Sequence, residues 1–303
     1  MCGLPPHVSD RVDAPRGPNL SAPTPASPLA VRYPTAFVTG ASGGLGFAFA
    51  ELLLERGVRV WGTARDAVRL DFLRGRAGFT PVVLELSDGH AVQDAFERAA
   101  DEAGGAFDLL INNAGYGLFA PFAAHDFDAW ERQLNGMLTQ TMRLSHRMLR
   151  RWLRRGPGSG AVVNVSSLAA EFPIPYMSGY NVVKAGLSAF SESLIFETRG
   201  TDVIVIDFRP GDYRTSFNRS MSATAVFDDQ PRLQPIWRTL EANLQTSPAP
   251  MRAARDLERA LLRGRSGVVR SGTFFQATLA PFLSRFAPLA WRRAAMARYF
   301  GAT

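Results

Sequence analysis

The sequence predicts an α/β protein built on a doubly wound parallel sheet flanked by helices. Two observations predict it. Short apolar runs of strand length alternate along the chain with longer amphipathic stretches of helical period, and near the start of the folded region a strand, a glycine-rich turn and a helix follow without a gap. A length of 303 residues with 46% hydrophobic composition suffices for one well-buried domain, so no second folded domain is required. The expected organisation is an extension over 1–30, a folded domain over 31–272 that includes a helical substrate lid at about 214–249, and an apolar, basic C-terminal extension over 273–303. The extension is rich in proline, serine and alanine and cannot bury enough apolar surface to order itself, so it reads as disordered or as a misassigned start. It lacks the apolar core of a signal peptide.

The first element is the strand Thr35-Ala36-Phe37-Val38-Thr39, which runs into Gly40-Ala41-Ser42-Gly43-Gly44-Leu45-Gly46. Phe47 to Arg56 has the apolar spacing of a helix, and Gly57 is placed to stop it. Glycines let backbone approach a pyrophosphate closely, and the helix N-terminus offers it free N–H groups, so this turn is expected to bind a nucleotide. Further on, strand Phe107–Ile111 ends in Asn112-Asn113-Ala114-Gly115, and a long helix containing Asn135 follows. Strand Ala161–Val165 ends in Ser166-Ser167, and strand Val203–Phe208 in Pro210-Gly211. Each of these endings alone is readable as a turn or a helix cap; their ordered co-occurrence is the signal.

Of the 34 basic side chains, one is lysine, Lys184, and it lies four residues after Tyr180 in Tyr180-Asn181-Val182-Val183-Lys184. On a helix, residues at i and i+4 share a face. A positive charge about 4 Å from a phenol, at an effective dielectric of about 20, favours the phenolate by roughly 4 kcal/mol, which brings its pKa from about 10 toward neutrality. The pair is therefore expected to act as one acid/base unit.

Together these motifs resemble the short-chain dehydrogenase/reductase family in its single-domain form, over about Thr35 to Gly272. The resemblance implies a Rossmann-type fold and hydride transfer between a nicotinamide and a carbonyl or carbinol carbon. It implies a catalytic set of Asn135, Ser167, Tyr180 and Lys184. Tyr180 would protonate the developing alkoxide, Ser167 would hydrogen-bond the same oxygen, Lys184 would hold the nicotinamide ribose, and Asn135 would help fix a water that replenishes the proton. It assigns cofactor contacts to Thr39, Gly40, Ser42, Gly44, Leu45 and Gly46, to Glu85 and Leu86 at the adenine, and to Asn113, Ala114 and Gly115. Pro210, Gly211 and Tyr213 would meet the carboxamide, with Thr215 close by. Glu85 stands where Asp is usual, Val183 replaces a small residue, and Gly136 directly after Asn135 is unusual.

Cofactor choice is read at the end of the second strand, Val58 to Arg65, where a carboxylate favours the ribose hydroxyls of NAD and an arginine the phosphate of NADP. Thr63 and Arg65 favour NADP; the adjacent Asp66, and Gly43 at a position often basic in NADP-preferring relatives, keep NAD as the alternative. Two other readings are weighed: a nucleotide-binding regulator whose chemistry has lapsed, disfavoured by the retention of Ser167, Tyr180, Lys184 and Asn135, and a sugar-nucleotide epimerase or dehydratase, disfavoured by Asn112-Asn113-Ala114-Gly115.

The lone Cys2 forbids an internal disulfide and fits a reducing cytoplasm, and the four histidines show no ligand spacing, so no metal is expected. A net charge of +7 raises nucleic acid or anionic membrane as partners. Arg147, Arg150, Arg151, Arg154 and Arg155 gather at one helix C-terminus, where cations are favoured, and the opposite face (Met142, Leu144, Met148, Leu149, Trp152) reads as packing surface. No nucleic acid is expected. The resemblance makes this helix and that of Tyr180 a subunit interface, hence a homodimer or homotetramer. Apolar residues of the lid, among them Phe217, Met221, Val226, Phe227 and Trp237, suggest a lipophilic substrate. The C-terminal stretch from Phe274 to Phe300 covers the same cleft, lies on a membrane surface, or packs on the domain or a partner; the sequence leaves these open.

Overall fold

The structure is a computed structural model that describes residues 27–155, 160–217, 221, 231 and 233–302. Most of the N-terminal extension, and Val226 and Phe227 of the lid, lie outside the described residues. Seven strands, β1 (Thr35–Val38), β2 (Arg59–Ala64), β3 (Phe79–Val83), β4 (Leu109–Asn112), β5 (Gly160–Val165), β6 (Val203–Pro210) and β7 (Gly267–Ser271), form one sheet in the order β3-β2-β1-β4-β5-β6-β7. Every pairing is parallel. The central strands β1, β4 and β5 are buried along their whole length, which is why they read as continuous apolar runs rather than as alternating ones.

Helices cover both faces. On one, α2 (Gly44–Glu55) and α9 (Pro250–Arg263) bury Phe49, Leu53 and Leu257 against Val38, Ile111 and Ile206. On the other, α4 (Gly89–Glu102) and α6 (Gln140–Arg155) bury Phe96, Leu144 and Trp152 against Phe37, Phe107 and Leu110. A third cluster joins Tyr180 and Met177 to Leu233, Ile236 and Leu240 of α8 (Leu233–Thr246) and to Phe300. Phe300 ends α11 (Leu289–Phe300), which follows the short α10 (Ala280–Ser284), so the C-terminal segment folds back against α8.

Several expectations are refined. Ser27 caps a short helix, α1 (Pro28–Arg32), and Leu29 is buried in the core, so the end of the presumed extension is ordered by apolar contact. The helix expected to run unbroken through Asn135 is interrupted there. A π-helical turn, Asn135–Thr139, joins α5 (Phe127–Leu134) to α6. On α6, Leu144, Met148 and Trp152 are buried, whereas Met142 is exposed. The arginines at its C-terminal end do more than meet a helix dipole: Arg151 pairs with Glu97 and Asp101 of α4, and Arg147 lies 3.8 Å from Glu97. No helix among the described residues is long and apolar enough to cross a membrane.

Candidate active site

A cleft of about 1370 Å³ opens at the carboxyl ends of the strands, where β1 and β4 leave the sheet toward opposite sides. Such a switch point is where open α/β sheets bind ligands. One end of the cleft is the glycine turn. Gly40 (φ +68°) and Gly44 (φ +55°) adopt left-handed backbone, which L side chains rarely accept. A Cβ on Gly40 would come 2.9 Å from Ala114 Cα, and one on Gly46 would run into the Gly40 carbonyl oxygen and Asn113 Nδ2. By contrast, a Cβ on Gly44 would meet only Thr215 across the cleft, at 3.5 Å. The turn is thus tight against its own chain and open toward the cavity, a cradle of the kind a pyrophosphate fits.

The turn is held from behind. Asn113 Nδ2 donates to the carbonyl oxygens of Thr39 (2.9 Å) and Gly40 (3.3 Å), while Thr39 Oγ1 accepts from the backbone N–H groups of Asn113 (2.8 Å) and Ala114 (2.9 Å). Thr63 Oγ1 accepts from Gly40 N at 3.1 Å. Thr39 and Gly46 do not line the cleft wall and hold the turn from behind. Gly40, Ser42, Gly44, Leu45, Arg65, Glu85, Leu86, Asn113, Ala114, Gly115, Pro210, Gly211, Tyr213 and Thr215 all line it.

Arg65 is joined on the wall by Arg69, which motif spacing gave no reason to single out. Both follow β2, and Arg69 arrives one turn of 3₁₀ helix later, over Ala67–Leu70. Asp66 does not line the cleft: its carboxylate accepts from Val68 N at 3.0 Å and caps that turn. With two arginines against the one carboxylate of Glu85, the net charge of these three lining residues is positive.

At the other end, α7 (Ser178–Glu197) carries Tyr180 and Lys184 on one buried face, with Lys184 Nζ 5.4 Å from the centre of the Tyr180 ring. Lys184 Nζ donates to the Val165 carbonyl oxygen at 2.8 Å. Ser167, after β5, caps a short turn by accepting from Ala169 N at 3.0 Å. Ser166 faces inward, donating to Asp207 Oδ1. Ser167, Tyr180 and Lys184 all line the cleft.

The electrostatics correct one expectation. Burial pushes the Tyr180 phenol up, to about 12, partly offset by a Ser167 hydrogen bond and reinforced by the Asp212 charge. Burial pulls the Lys184 ammonium down, to about 8, against the attraction of Asp207. Desolvation is the dominant cause, so the phenol is not drawn toward neutrality.

Asn135 is not brought to the other three. It stands at the π-helical turn, off the cleft wall, with its Oδ1 accepting from Gln140 Nε2 at 3.1 Å. Val183, in the place of a small residue, is accommodated by complete burial.

The substrate half of the cleft is walled by apolar residues of the lid and C-terminal segment, including Phe217, Met221, Leu240 and Trp291. A polar cluster interrupts them. Asp212 Oδ2 accepts from Gln276 Nε2 (2.6 Å) and, at 3.4 Å, from the Tyr299 hydroxyl. Burial raises the Asp212 carboxyl above its ordinary range. Gln276 Oε1 is buried and has no hydrogen-bond donor among the described residues. The sequence hid this cluster because Asp212 lies 64 residues from Gln276 and 87 from Tyr299. Among the described residues there is no cluster of three or more metal-ligating side chains.

A family model described as short chain dehydrogenase matches residues 34–225. An uncharacterized short-chain type dehydrogenase/reductase of Sinorhizobium fredii is 32% identical over 213 residues, which are 67% of this chain and 82% of the relative. Among solved structures, a short-chain dehydrogenase from Streptomyces avermitilis superposes with a TM-score of 0.70 at 24% identity, over 86% of this chain and 96% of the other. A short-chain dehydrogenase from Sphingobium yanoikuyae in complex with NADPH gives a TM-score of 0.67 at 23% identity, over 87% and 95%. With its parallel seven-stranded sheet and its match over most of the folded region, the chain belongs to the short chain dehydrogenase family.

Proposed function

We propose that this family member is an NADP(H)-dependent oxidoreductase that interconverts a carbonyl and an alcohol, with Tyr180 as general acid/base and a largely lipophilic substrate. The observation that carries the reading is that Ser167, Tyr180 and Lys184 stand on the wall of a cleft whose far end is the glycine turn flanked by Arg65 and Arg69. These residues fit a dinucleotide. The open cradle at Gly43 and Gly44 suits the pyrophosphate, Glu85 and Leu86 the adenine side, Lys184 the nicotinamide ribose, and Pro210 and Gly211 the carboxamide. The two arginines suit a phosphate on the adenosine ribose, and the related structure from Sphingobium yanoikuyae holds NADPH.

A bound nicotinamide supplies the hydride. The chain's own work is orientation and proton handling. In reduction Tyr180 gives its proton to the substrate oxygen and Ser167 hydrogen-bonds that oxygen as charge grows on it. A phenol pushed up by burial stays protonated through neutral pH, and so stands ready as the acid. Lys184 keeps its charge below about 8. Asn135, beside Gly136 and Met137 of the cleft wall, would help fix a water through which the proton is replenished. The apolar wall around Tyr180 favours a lipophilic body, and Asp212 with Gln276 suits a single donor group on it.

The test compares NADPH and NADH oxidation against lipophilic ketones and aldehydes for wild type, Tyr180→Phe, and Arg65→Asp with Arg69→Asp. The reading expects turnover by wild type, none by Tyr180→Phe despite retained cofactor binding, and a move toward NADH for the arginine variant. Turnover unchanged in Tyr180→Phe overturns it. Cofactor binding without any turnover by wild type would favour a regulator that keeps the fold.

A further inference from the structure

We infer that the C-terminal cover of the cleft, residues 273–302, is a docking surface for an anionic lipid bilayer. The segment has two faces. Its inner side closes the cleft through Phe275, Leu283, Met296 and Phe300. Its outer side presents Phe274, Phe282, Phe286 and Leu289, which are 71%, 56%, 75% and 57% exposed and do not line the cleft. Trp291, 72% exposed, reaches both sides. Of the 20 large apolar side chains exposed among the described residues, nine fall between Phe274 and Tyr299, so this is a patch and not the ordinary scatter of single apolar residues.

The charge of the patch selects its occupant. Residues 273–303 contain four arginines, Arg285, Arg292, Arg293 and Arg298, and no aspartate or glutamate. Among the described residues, Arg285, Arg293 and Arg298 make no ion pair. A second copy docked face to face through this patch would oppose arginine to arginine with no acidic residue in the segment to answer them. Anionic headgroups complement that charge, and aromatic side chains settle at the headgroup level. The segment's longest helix has 12 residues, and its two prolines, Pro281 in the first turn of α10 and Pro288 at the N-cap of α11, break it into short pieces. It is therefore built to lie in an interface and not to span. A cover whose inner side lines the substrate half of the cleft would pass a lipophilic molecule from bilayer to cleft without an aqueous step. That consequence rests on the proposed function; the docking does not.

The docking is tested without turnover. The full chain is sedimented with phosphatidylcholine vesicles, with and without phosphatidylglycerol, at low and high salt. The expected result is binding to phosphatidylglycerol vesicles, at least about tenfold weaker on neutral vesicles and at high salt. The pair Phe282→Ser with Phe286→Ser should lose about tenfold in that binding, while its melting temperature and its turnover of a water-soluble carbonyl compound stay as in wild type. Arg285→Glu with Arg293→Glu should behave likewise, which guards against a folding defect in the first pair. Absence of binding by wild type, or equal binding to neutral and anionic vesicles, overturns the inference. So does a wild-type oligomer that either pair converts to monomer, because the patch is then an interface between copies. Failure of the proposed chemistry would appear in the turnover assays alone.

Discussion

Lys184 Nζ stands 5.4 Å from the centre of the Tyr180 ring and donates to the main-chain oxygen of Val165, 2.8 Å away. The ammonium is therefore anchored to the end of β5, the strand that also delivers Ser167. One helix face and one strand end fix all three groups, and both groups that titrate are buried. Burial moves each away from its charged form: the phenol up, the ammonium down.

The pH dependence of reduction follows from those directions. Lys184 is charged below about 8 and loses its charge above, while the Tyr180 phenol remains protonated until about 12. The reductive rate should therefore be flat through neutral pH and decline above about pH 8, with the decline belonging to the lysine. Steady-state rates from pH 6 to 10 check this, on the order of two units either side of that value. Lys184→Met should abolish the decline together with most of the activity. A decline that survives in Lys184→Met assigns it elsewhere.

Asp212 acts on the same phenol from the substrate side. Its charge disfavours the phenolate, so Asp212→Asn should ease ionisation of Tyr180. In the alcohol-oxidising direction, where Tyr180 must take up a proton, the rise of rate with pH should move to lower pH in Asp212→Asn. An unmoved profile, measured alongside wild type, would show that the carboxylate does not reach the phenol electrically.

The sheet was legible in the sequence because its central strands are buried on both faces and so carry short apolar runs such as Ala36–Val38 and Ala161–Val163, closed by turn residues. The pairing of Tyr180 with Lys184 was legible because helical period puts i and i+4 on one face. Their acid–base balance was not, since desolvation depends on what Met177, Phe217 and the lid bring from elsewhere in the chain. The surroundings of Asn135 were not legible for a related reason: its place in a helix says nothing of the π-helical turn at which it stands or of the hydrogen bond its side chain accepts from Gln140. Arg69 escaped notice because reaching the cleft requires the 3₁₀ turn that Asp66 caps.

Behind the site, Asp207 is a buried carboxylate that accepts from Ser188 Oγ (2.7 Å) and Arg209 Nε (2.7 Å), and from Ser166 Oγ. Its side chain has no exposure and that of Arg209 only 10%. Removing one partner of such a pair leaves the other charge buried, a loss of roughly 3–5 kcal/mol. Asp207→Ala should therefore lower the denaturant midpoint sharply, whereas Glu171→Ala, which removes a second partner of Arg209 from a more exposed position, should lower it less. Equal effects would mean that the two carboxylates share the load on Arg209.

The glycine turn makes two opposite predictions from one geometry. A Cβ on Gly46 would run into the Gly40 carbonyl and the Asn113 amide that hold the turn closed, so Gly46→Ala should weaken both fold and cofactor binding. Overpacking of this kind costs about 1–3 kcal/mol. Gly43 is different: its φ of 176° is extended backbone open to any residue, and a Cβ there would meet only Ser216 Oγ, at 3.8 Å. Gly43→Arg should therefore fold as wild type and add a third cation to the end of the cleft held by Arg65 and Arg69. Its dissociation constant for NADPH should fall by about tenfold relative to that for NADH, the worth of one charge-assisted contact to a phosphate. Titration of both nucleotides by intrinsic fluorescence quenching decides it. An unchanged ratio in a folded Gly43→Arg protein would place the adenosine ribose away from this corner and remove the support that Arg65 and Arg69 lend to NADP.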